Sequence, residues 1–176
     1  MPVYAALLRG VMPTNCRMPE LKAALEKAGF TDVRTVISSG NAVFRARAAS
    51  ESSLEKKCEG AMEKHLGRRF MTIVRELDAL EALLERDPFA KFRLPPNAKR
   101  NVTFLRDAPG TKPRLPVTMK GGEILALQGR EGLLYYVPGE ADPSFMASIE
   151  KTFGKEVTTR TWDTVGRIVK AGKAIG

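Results

Sequence analysis

The order of strand-like and helix-like segments in the first 90 residues is the feature that most restricts the fold of this chain. Four short apolar runs are typical of buried strands: VYAALL (3–8), VRTVI (33–37), AVFRA (42–46) and FMTIV (70–74). Apolar residues at helical spacing follow the first and third runs, and the turn-forming string SSGN joins the second and third runs as a hairpin. The order strand, helix, strand, strand, helix, strand predicts a split βαβ, ferredoxin-like plait.

Helix end signals are also present in this half. Pro19 suits the first turn of the first helix, and Gly29 followed by Phe30 is typical of a helix end with an apolar contact. Ser52 and Glu55 have the spacing of a capping box, which predicts that they open the second helix. A further helix is expected in ELDALEALLERD (76–87).

Three prolines in PFAKFRLPPNAKR (88–100) interrupt this pattern. We place a boundary there, which predicts an N-terminal half at 1–88, a linker at 89–98 and a C-terminal half at 99–176. In the C-terminal half, strands are expected at NVTFL (101–105), EILALQ (123–128), LLYYVP (133–138) and EVTTR (156–160). The segment between the first two of these is rich in Pro and Gly, so any helix in it must be short.

Two helices complete the C-terminal half. Asp142 and Pro143 predict a helix start, with Met146, Ile149 and Phe153 facing inward. Residues 162–171 are expected to form the last helix. The order of elements is nearly that of the first half, so we predict an α+β protein of two ferredoxin-like halves packed as one compact unit.

An internal match supports a structural duplication. RELDALEALL (75–84) aligns with RTWDTVGRIV (160–169), so that Arg75 and Asp78 correspond to Arg160 and Asp163. Trp162 then stands where the first half has a leucine. The alternative is chance, because any amphipathic helix reuses the same apolar offsets.

The charge of the chain is uneven. The whole sequence has 29 Lys+Arg against 20 Asp+Glu, a net charge of +9. Residues 91–120 contain eight basic residues and Asp107 as their one acidic residue, hence +7. This basic segment, as we call residues 91–120, is suited to nucleic acid or another polyanion, or else it is a solvated surface that keeps a basic protein in solution.

Several classes of protein are not indicated by the sequence. No apolar run approaches the roughly 20 residues that span a bilayer, and the N-terminus lacks the features of a signal peptide, so we expect a cytoplasmic protein without a membrane partner. Cys16 and Cys58 are too few for a disulfide framework and are expected to be buried or reduced. No HExxH, GxSxG, P-loop or GxGxxG string occurs, and we expect no metal and no cofactor.

Two polar stretches in the N-terminal half are candidate sites. Arg9 and Gly10 follow the first strand and lead toward a helix N-terminus, a natural anion site, although Arg9 could equally pair with a carboxylate. Ser39, Gly40 and Asn41 belong to the hairpin turn. A serine nucleophile there needs an adjacent base, and the one histidine, His65, lies in a helical context.

The string VTTRTWD (157–163) is the third candidate. Thr158 and Arg160 share one face of a strand, and Thr161 can cap the helix that begins with Trp162. One interpretation is a strand-to-helix junction with a docking tryptophan. The other is an arginine and a helix N-terminus that converge on an anion, with Trp162 as one wall.

Short strings along most of the chain resemble a known family. They are LLRG, GF.DVRT, SGN.VF, PF, LYY.P and TTR.W.T, in this order. Together they identify the chain as similar to domain of unknown function 1697, a family of uncharacterised bacterial proteins. The resemblance carries over these candidate positions: Arg9, Gly10, Ser39, Gly40, Asn41, Thr159, Arg160 and Trp162.

The chain departs from the family pattern at three places. Residues 11–14, VMPT, replace a glycine-containing loop, which makes a phosphate-cradling loop less expected here. Asp87 replaces the usual Asn before PF, and Thr161 replaces the usual Asn before Trp. If that second Asn contacts a ligand in the family, this chain binds another ligand or none.

Three functional hypotheses follow. The leading one is a non-catalytic binding protein for an anionic ligand, either a nucleotide-like small molecule or nucleic acid. The second is an enzyme of unknown reaction with a polar site of Arg9, Ser39, Asn41 and Arg160, which requires these groups to converge. The third is a structural or interaction protein that forms a homodimer through an open sheet.

Overall fold

The computed structural model describes residues 1–38 and 40–176, and Ser39 lies outside the described residues. Within the described part, the protein has a mixed α+β fold with two antiparallel sheets and five helices. Residue contacts divide the chain into a first unit, Met1–Glu85 with Val165–Gly176, and a second unit, Arg86–Thr164. The bounds 1–88, 89–98 and 99–176 derived from the sequence stay a prediction.

The first unit contains one four-stranded sheet. Its strands are β1 (Val3–Leu8), β2 (Thr31–Thr35), β3 (Asn41–Arg45) and β4 (Thr72–Glu76). They are arranged in the order β2-β3-β1-β4, and every neighbouring pair is antiparallel. Helices α1 (Met18–Lys27) and α2 (Glu51–Leu66) contribute apolar side chains to one core with β1, β3 and β4. Helix α3 (Leu77–Arg86) follows β4 directly.

The end of α1 confirms the predicted stop signal. The Gly29 N–H donates to the Glu26 carbonyl at 2.9 Å, and the Phe30 N–H donates to the Leu25 carbonyl at 3.3 Å. Gly29 has φ +98°, a conformation that glycine adopts without steric cost. Phe30 then enters the core, so these two residues together end the helix and anchor the chain that follows it.

The predicted capping box at the start of α2 is wrong. The helix begins two residues earlier than that box requires, and the Ser50 side chain caps it by accepting from the Ser53 N–H at 3.1 Å. Glu55 is buried, and its carboxylate accepts a hydrogen bond from the Val74 N–H at 2.9 Å. Spacing alone could not separate these roles, because two serines near the helix start can cap it.

Two carboxylates of α2 line the outer edge of β4. Glu55 binds the Val74 N–H, and Glu59 accepts from the Thr72 N–H at 3.1 Å. Four residues along a helix and two along a strand both advance about 6–7 Å, so the two spacings match. Since β4 is the last strand of its sheet, α2 occupies the backbone donors that an incoming strand would need.

The second unit contains a five-stranded antiparallel sheet. Its strands are β5 (Lys99–Leu105), β6 (Val117–Met119), β7 (Gly122–Gln128), β8 (Glu131–Tyr136) and β9 (Val157–Thr161). The order is β6-β7-β8-β5-β9, and α4 (Phe145–Phe153) packs on one face. Helix α5 (Trp162–Ile175) follows β9 directly, as α3 follows β4. The short strand β6, in the Pro- and Gly-rich segment, was not predicted.

Two predictions about α4 are wrong. The N-cap is Ser144 rather than Asp142, whose carboxylate instead accepts from the Ser144 N–H at 2.8 Å. Met146 is 63% exposed, and Phe145 takes the inward position in its place. Both residues fit a helical stripe with Ile149 and Phe153, so periodicity did not distinguish them.

Candidate functional site

The loop after β1 is closed by its own polar groups. Arg9 is half-buried and its N–H donates to the Met71 carbonyl at 2.9 Å, while Gly10 turns the chain with φ +81°. The Asn15 amide donates to the Gly10 carbonyl at 2.9 Å, and its oxygen accepts from the Met12 N–H at 2.8 Å. The side chain of Asn15 therefore occupies a backbone donor that an anion in this loop would use.

The hairpin turn between β2 and β3 packs against that loop. Gly40 has φ +83°, and a Cβ atom added to it would lie 2.9 Å from the Cβ of Val11, so the backbones approach closely. Asn41 is fully buried, and its amide donates to the Val36 carbonyl at 3.0 Å. Gly40 and Asn41 therefore both contribute to the structure of the turn. Of the hairpin candidates, Ser39 lies outside the described residues.

The threonines of β9 contact two different groups. The hydroxyls of Thr159 and Thr103 are 2.8 Å apart on neighbouring strands. On the opposite side of the strand, Arg160 Nη1 donates to Thr158 Oγ1 at 2.6 Å and to the Thr159 carbonyl at 3.0 Å. Arg160 is only 8% exposed, and burial lowers its pKa to about 10, which leaves the guanidinium charged at neutral pH. The polar residues of VTTRT therefore interact with one another and with β5.

The junction between β9 and α5 confirms Thr161 as the capping residue. Its hydroxyl accepts from the Thr164 N–H at 3.1 Å. The Trp162 ring meets the ring of Phe89 edge-on, with centroids 5.1 Å apart. The guanidinium carbon of Arg100 lies 5.9 Å from each of these two ring centroids. This cluster of Phe89, Arg100 and Trp162, which we call the Arg100 cluster, was not predicted.

The two departures from the family pattern at Asp87 and Thr161 have structural explanations. Asp87 has φ +35°, a backbone conformation that Asn and Asp adopt more readily than most residues. Thr161 caps α5, a position where Asn, Asp, Ser and Thr are all favoured. Asp87 therefore keeps the tolerance of positive φ that Asn would have, and Thr161 keeps the ability to cap the helix.

The candidates carried over from the resemblance fall in both units. Arg9, Gly10, Gly40 and Asn41 belong to the first unit, and Thr159, Arg160 and Trp162 belong to the second. Within the first unit, Gly40 lies against Leu8 and Val11, so the turn and the loop after β1 are adjacent. The convergence of Arg9, Ser39, Asn41 and Arg160, which the enzyme hypothesis requires, stays a prediction.

The basic segment is exposed in the second unit. Seven of its eight basic residues are exposed, and only Arg106 is half-buried, where it lies 3.7 Å from Glu156. The exposed residues are Lys91, Arg93, Lys99, Arg100, Lys112, Arg114 and Lys120. In the described part of the chain, Arg100 alone among these seven has an acidic partner within 4.0 Å, Asp87. Of the other six, Lys120 lies near enough to Asp142 to lower the pKa of that carboxyl. The remaining five positive charges face solvent without an ion-pair partner among the described residues.

The histidine and the acidic residues give no metal site in the part of the chain that the structure describes. His65 is exposed in the last turn of α2. The residues that the structure describes contain no group of three or more His, Cys, Asp and Glu that could hold a metal ion. None of the helices described is long and apolar enough to cross a membrane.

Both cysteines are free and buried, as predicted, and we expect them to be unreactive. Burial raises the pKa of Cys58 to about 12, and Glu59 and Glu55 add to this rise. At pH 8.5, iodoacetamide should leave Cys58 unmodified in the native protein and modify both thiols after denaturation, as measured by mass spectrometry. Because the folded state keeps this proton longer than the unfolded state, stability should fall as the pH rises from about 9 to 12. Rapid native labelling of Cys58 would contradict this.

Comparisons with known proteins agree with the sequence resemblance. The family model described as "Protein of unknown function (DUF1697)" matches residues 1–131. A solved structure of a conserved bacterial protein from Streptococcus pneumoniae is similar, with a TM-score of 0.68 and 22% sequence identity over 98% of this chain and 99% of that one. No curated protein matches. At this identity, the similar structure supports the fold alone.

Proposed function

The chain belongs to the family described as "Protein of unknown function (DUF1697)", and from the surface of its second unit we propose that it is a non-catalytic binding protein for single-stranded nucleic acid. The observation that carries this proposal is the set of exposed basic residues in the basic segment, most of them without an acidic neighbour. Exposed cations that are spread along a segment suit a polymer of phosphates better than one small anion.

The Arg100 cluster adds a second property of such binding sites. Arg100 is 42% exposed and lies beside the half-buried Trp162 ring. Proteins that bind single strands combine cations for the backbone with aromatic or guanidinium planes on which bases stack. Arg100 can supply a charge to a phosphate or a plane to a base, and Trp162 fixes its position.

We also propose that the fold arose by duplication of one ferredoxin-like half. Four strands of the second sheet have the order β7-β8-β5-β9, which parallels β2-β3-β1-β4 in the first sheet. A helix follows the last strand directly in both, starting at Leu77 and at Trp162, as the alignment of RELDALEALL with RTWDTVGRIV requires. These parallels support two ferredoxin-like halves, the second with β6 in place of a crossover helix.

The other two hypotheses have less support. An enzyme that uses Asn41 and Arg160 must recruit groups that already bind Val36 and Thr158. A homodimer formed by pairing at the β4 edge must displace the carboxylates of Glu55 and Glu59. A nucleic-acid-binding protein needs none of these contacts to break. We expect it to act in the cytoplasm, the location that the sequence favours.

The test is binding of a fluorescein-labelled 12-nucleotide DNA strand, followed by anisotropy. We expect salt-dependent binding, with a slope of log K against log salt near −0.7 for each phosphate contact. Replacing Lys112 and Arg114 together by alanine should reduce the slope by about 1 to 1.5 and weaken binding at low salt. Trp162, the one tryptophan of the chain, provides an independent readout through its intrinsic fluorescence.

The control removes the same charge from the first unit. Lys56 and Lys64 are exposed residues of α2, and their double alanine variant should bind as the wild type does. Equal loss of affinity in both double variants would indicate a general effect of net charge. Absence of binding, or binding that does not depend on salt, would overturn the proposal.

A further inference from the structure

A cleft of about 340 Å³ opens in the second unit beside β8. Its volume lies in the range of small-molecule sites. Apolar and aromatic groups meet polar ones in its lining, which includes Pro95, Pro96, Asn97, Met119, Tyr135 and Glu140. A flat ring next to an amide and a carboxylate is an arrangement that can recognise a planar ligand with hydrogen-bond donors on its edge.

Tyr135 belongs to β8, an inner strand of the second sheet, and is half-buried. It lies opposite Glu123 in the ladder between β7 and β8, and the Glu123 carboxylate accepts from Thr118 Oγ1 at 3.2 Å. Burial raises the pKa of Tyr135, and Glu123 adds to the rise, so the hydroxyl stays protonated at neutral pH. A half-buried ring on an inner strand loses little conformational freedom when a base stacks on it.

The turn that carries Glu140 is also fixed. Val137 N–H donates to the Gly121 carbonyl at 2.7 Å, and Asp142 N–H donates to the Lys120 carbonyl at 3.0 Å. Gly121 has φ +71°, and a Cβ atom there would overlap the backbone oxygen of Glu140. This close approach holds the turn against the β6–β7 connection and keeps the Glu140 backbone beside the cleft.

Cations flank this cleft. Arg100 lies directly opposite Tyr135 in the ladder between β5 and β8, and Lys120 precedes Gly121 of the lining. Both are exposed members of the basic segment. A nucleotide whose base enters the cleft would have cations available for its phosphates.

From this arrangement we infer that the cleft binds one base of the nucleic-acid strand, stacked on Tyr135 with an amino-bearing edge toward Glu140. The inference rests on the proposed function and names the part of the ligand that this site takes. A carboxylate accepts hydrogen bonds from the exocyclic amino groups of cytosine, adenine and guanine. Thymine and uracil present carbonyl oxygens at those positions, which a carboxylate repels. The cleft should therefore prefer amino-bearing bases.

The experiment compares 12-nucleotide strands of deoxycytidine, deoxyadenosine and thymidine by anisotropy. Wild-type protein should bind the first two about ten-fold more tightly than the third. Glu140→Ala should reduce that preference to about two-fold or less and leave the salt slope unchanged. Asp107→Ala, which removes the same charge from an exposed position of the second unit, should keep the preference.

A second pair of variants tests the ring. Tyr135→Leu should weaken binding of the deoxycytidine strand by roughly ten-fold, because stacking on the ring is lost. Tyr135→Phe keeps the ring and should stay within about two-fold of the wild type. Circular dichroism and thermal unfolding check that each variant folds. Because Glu140 is exposed, its variant decides the question if Tyr135→Leu does not fold.

The outcomes separate this inference from the proposed function. Equal binding of all three strands, unaffected by Glu140→Ala, would overturn the cleft as a base site and leave nucleic-acid binding intact. If no strand binds, the proposed function fails. The cleft is then tested alone: CMP and TMP are titrated separately into the protein, and the backbone amide NMR signal of Tyr135 is monitored. Shifts with CMP at millimolar concentration and not with TMP would retain it as a nucleotide site, and any other result would overturn it.

Discussion

Replacing Glu55 by alanine is expected to lower the free energy of unfolding by about 2–3 kcal/mol, because it leaves the N–H of Val74 buried without its acceptor. Glu55 is 3% exposed, so water cannot readily take the place of the carboxylate. For a chain of this length, the loss corresponds to a decrease in Tm of about 5–10 °C. Thermal unfolding and urea titration both measure it.

Two variants of the same helix serve as controls. Glu63→Ala removes an exposed carboxylate that pairs with Arg69 and should cost less than about 1 kcal/mol. Glu55→Gln keeps an oxygen that accepts from Val74 and should fall between the wild type and Glu55→Ala. If Glu55→Ala and Glu63→Ala have equal stability, the carboxylate does not stabilise the edge of β4.

The same pair of carboxylates has a consequence for association. With both Glu55 and Glu59 replaced by alanine, the outer N–H groups of Thr72 and Val74 lose the acceptors seen in the wild type. Unpaired strand edges promote pairing between chains. We expect this double variant to form dimers or larger species in size-exclusion chromatography at concentrations where Glu63→Ala elutes as the wild type does.

Local signals predicted elements well where one short stretch determines the backbone. Gly29 and Phe30 end α1 by hydrogen bonds to residues of the same helix, and Thr161 caps α5 three residues away. The capping-box prediction failed because the role of Glu55 depends on a strand 19 residues further along the chain. The fit of Phe145 beside Gly122 likewise decides which face of α4 is buried, and periodicity carries no information about it.

The candidate site shows the same division. The charge of the basic segment is readable from composition, whereas the contact between Arg100, Phe89 and Trp162 joins residues far apart in the sequence. The strand periodicity placed Thr158 and Arg160 on one face, and the structure shows them hydrogen-bonded at 2.6 Å. That Thr159 bonds to Thr103 depends on the register of β5 with β9, which no local pattern determines.

Replacing Arg160 by alanine is expected to destabilise the protein by about 2 kcal/mol and to leave nucleic-acid binding at the basic segment within about two-fold of the wild type. The side chain is 8% exposed, so alanine removes buried methylene groups and the donor that binds Thr158. Part of this loss is offset because the variant no longer buries a charge. Arg160→Met, which keeps the apolar stem, should be more stable than Arg160→Ala for that reason.

An exposed arginine of the second unit supplies the contrast. Arg93→Ala removes the same charge from the basic segment, so it should leave Tm within about 1 °C and weaken binding with a lower salt slope. Opposite effects of the two substitutions, one on stability and the other on affinity, would assign Arg160 to the fold and the ligand to the exposed cations. If Arg160→Ala abolishes binding at unchanged Tm, the buried guanidinium contacts the ligand. The enzyme hypothesis, with its polar site of Arg9, Ser39, Asn41 and Arg160, then regains its support.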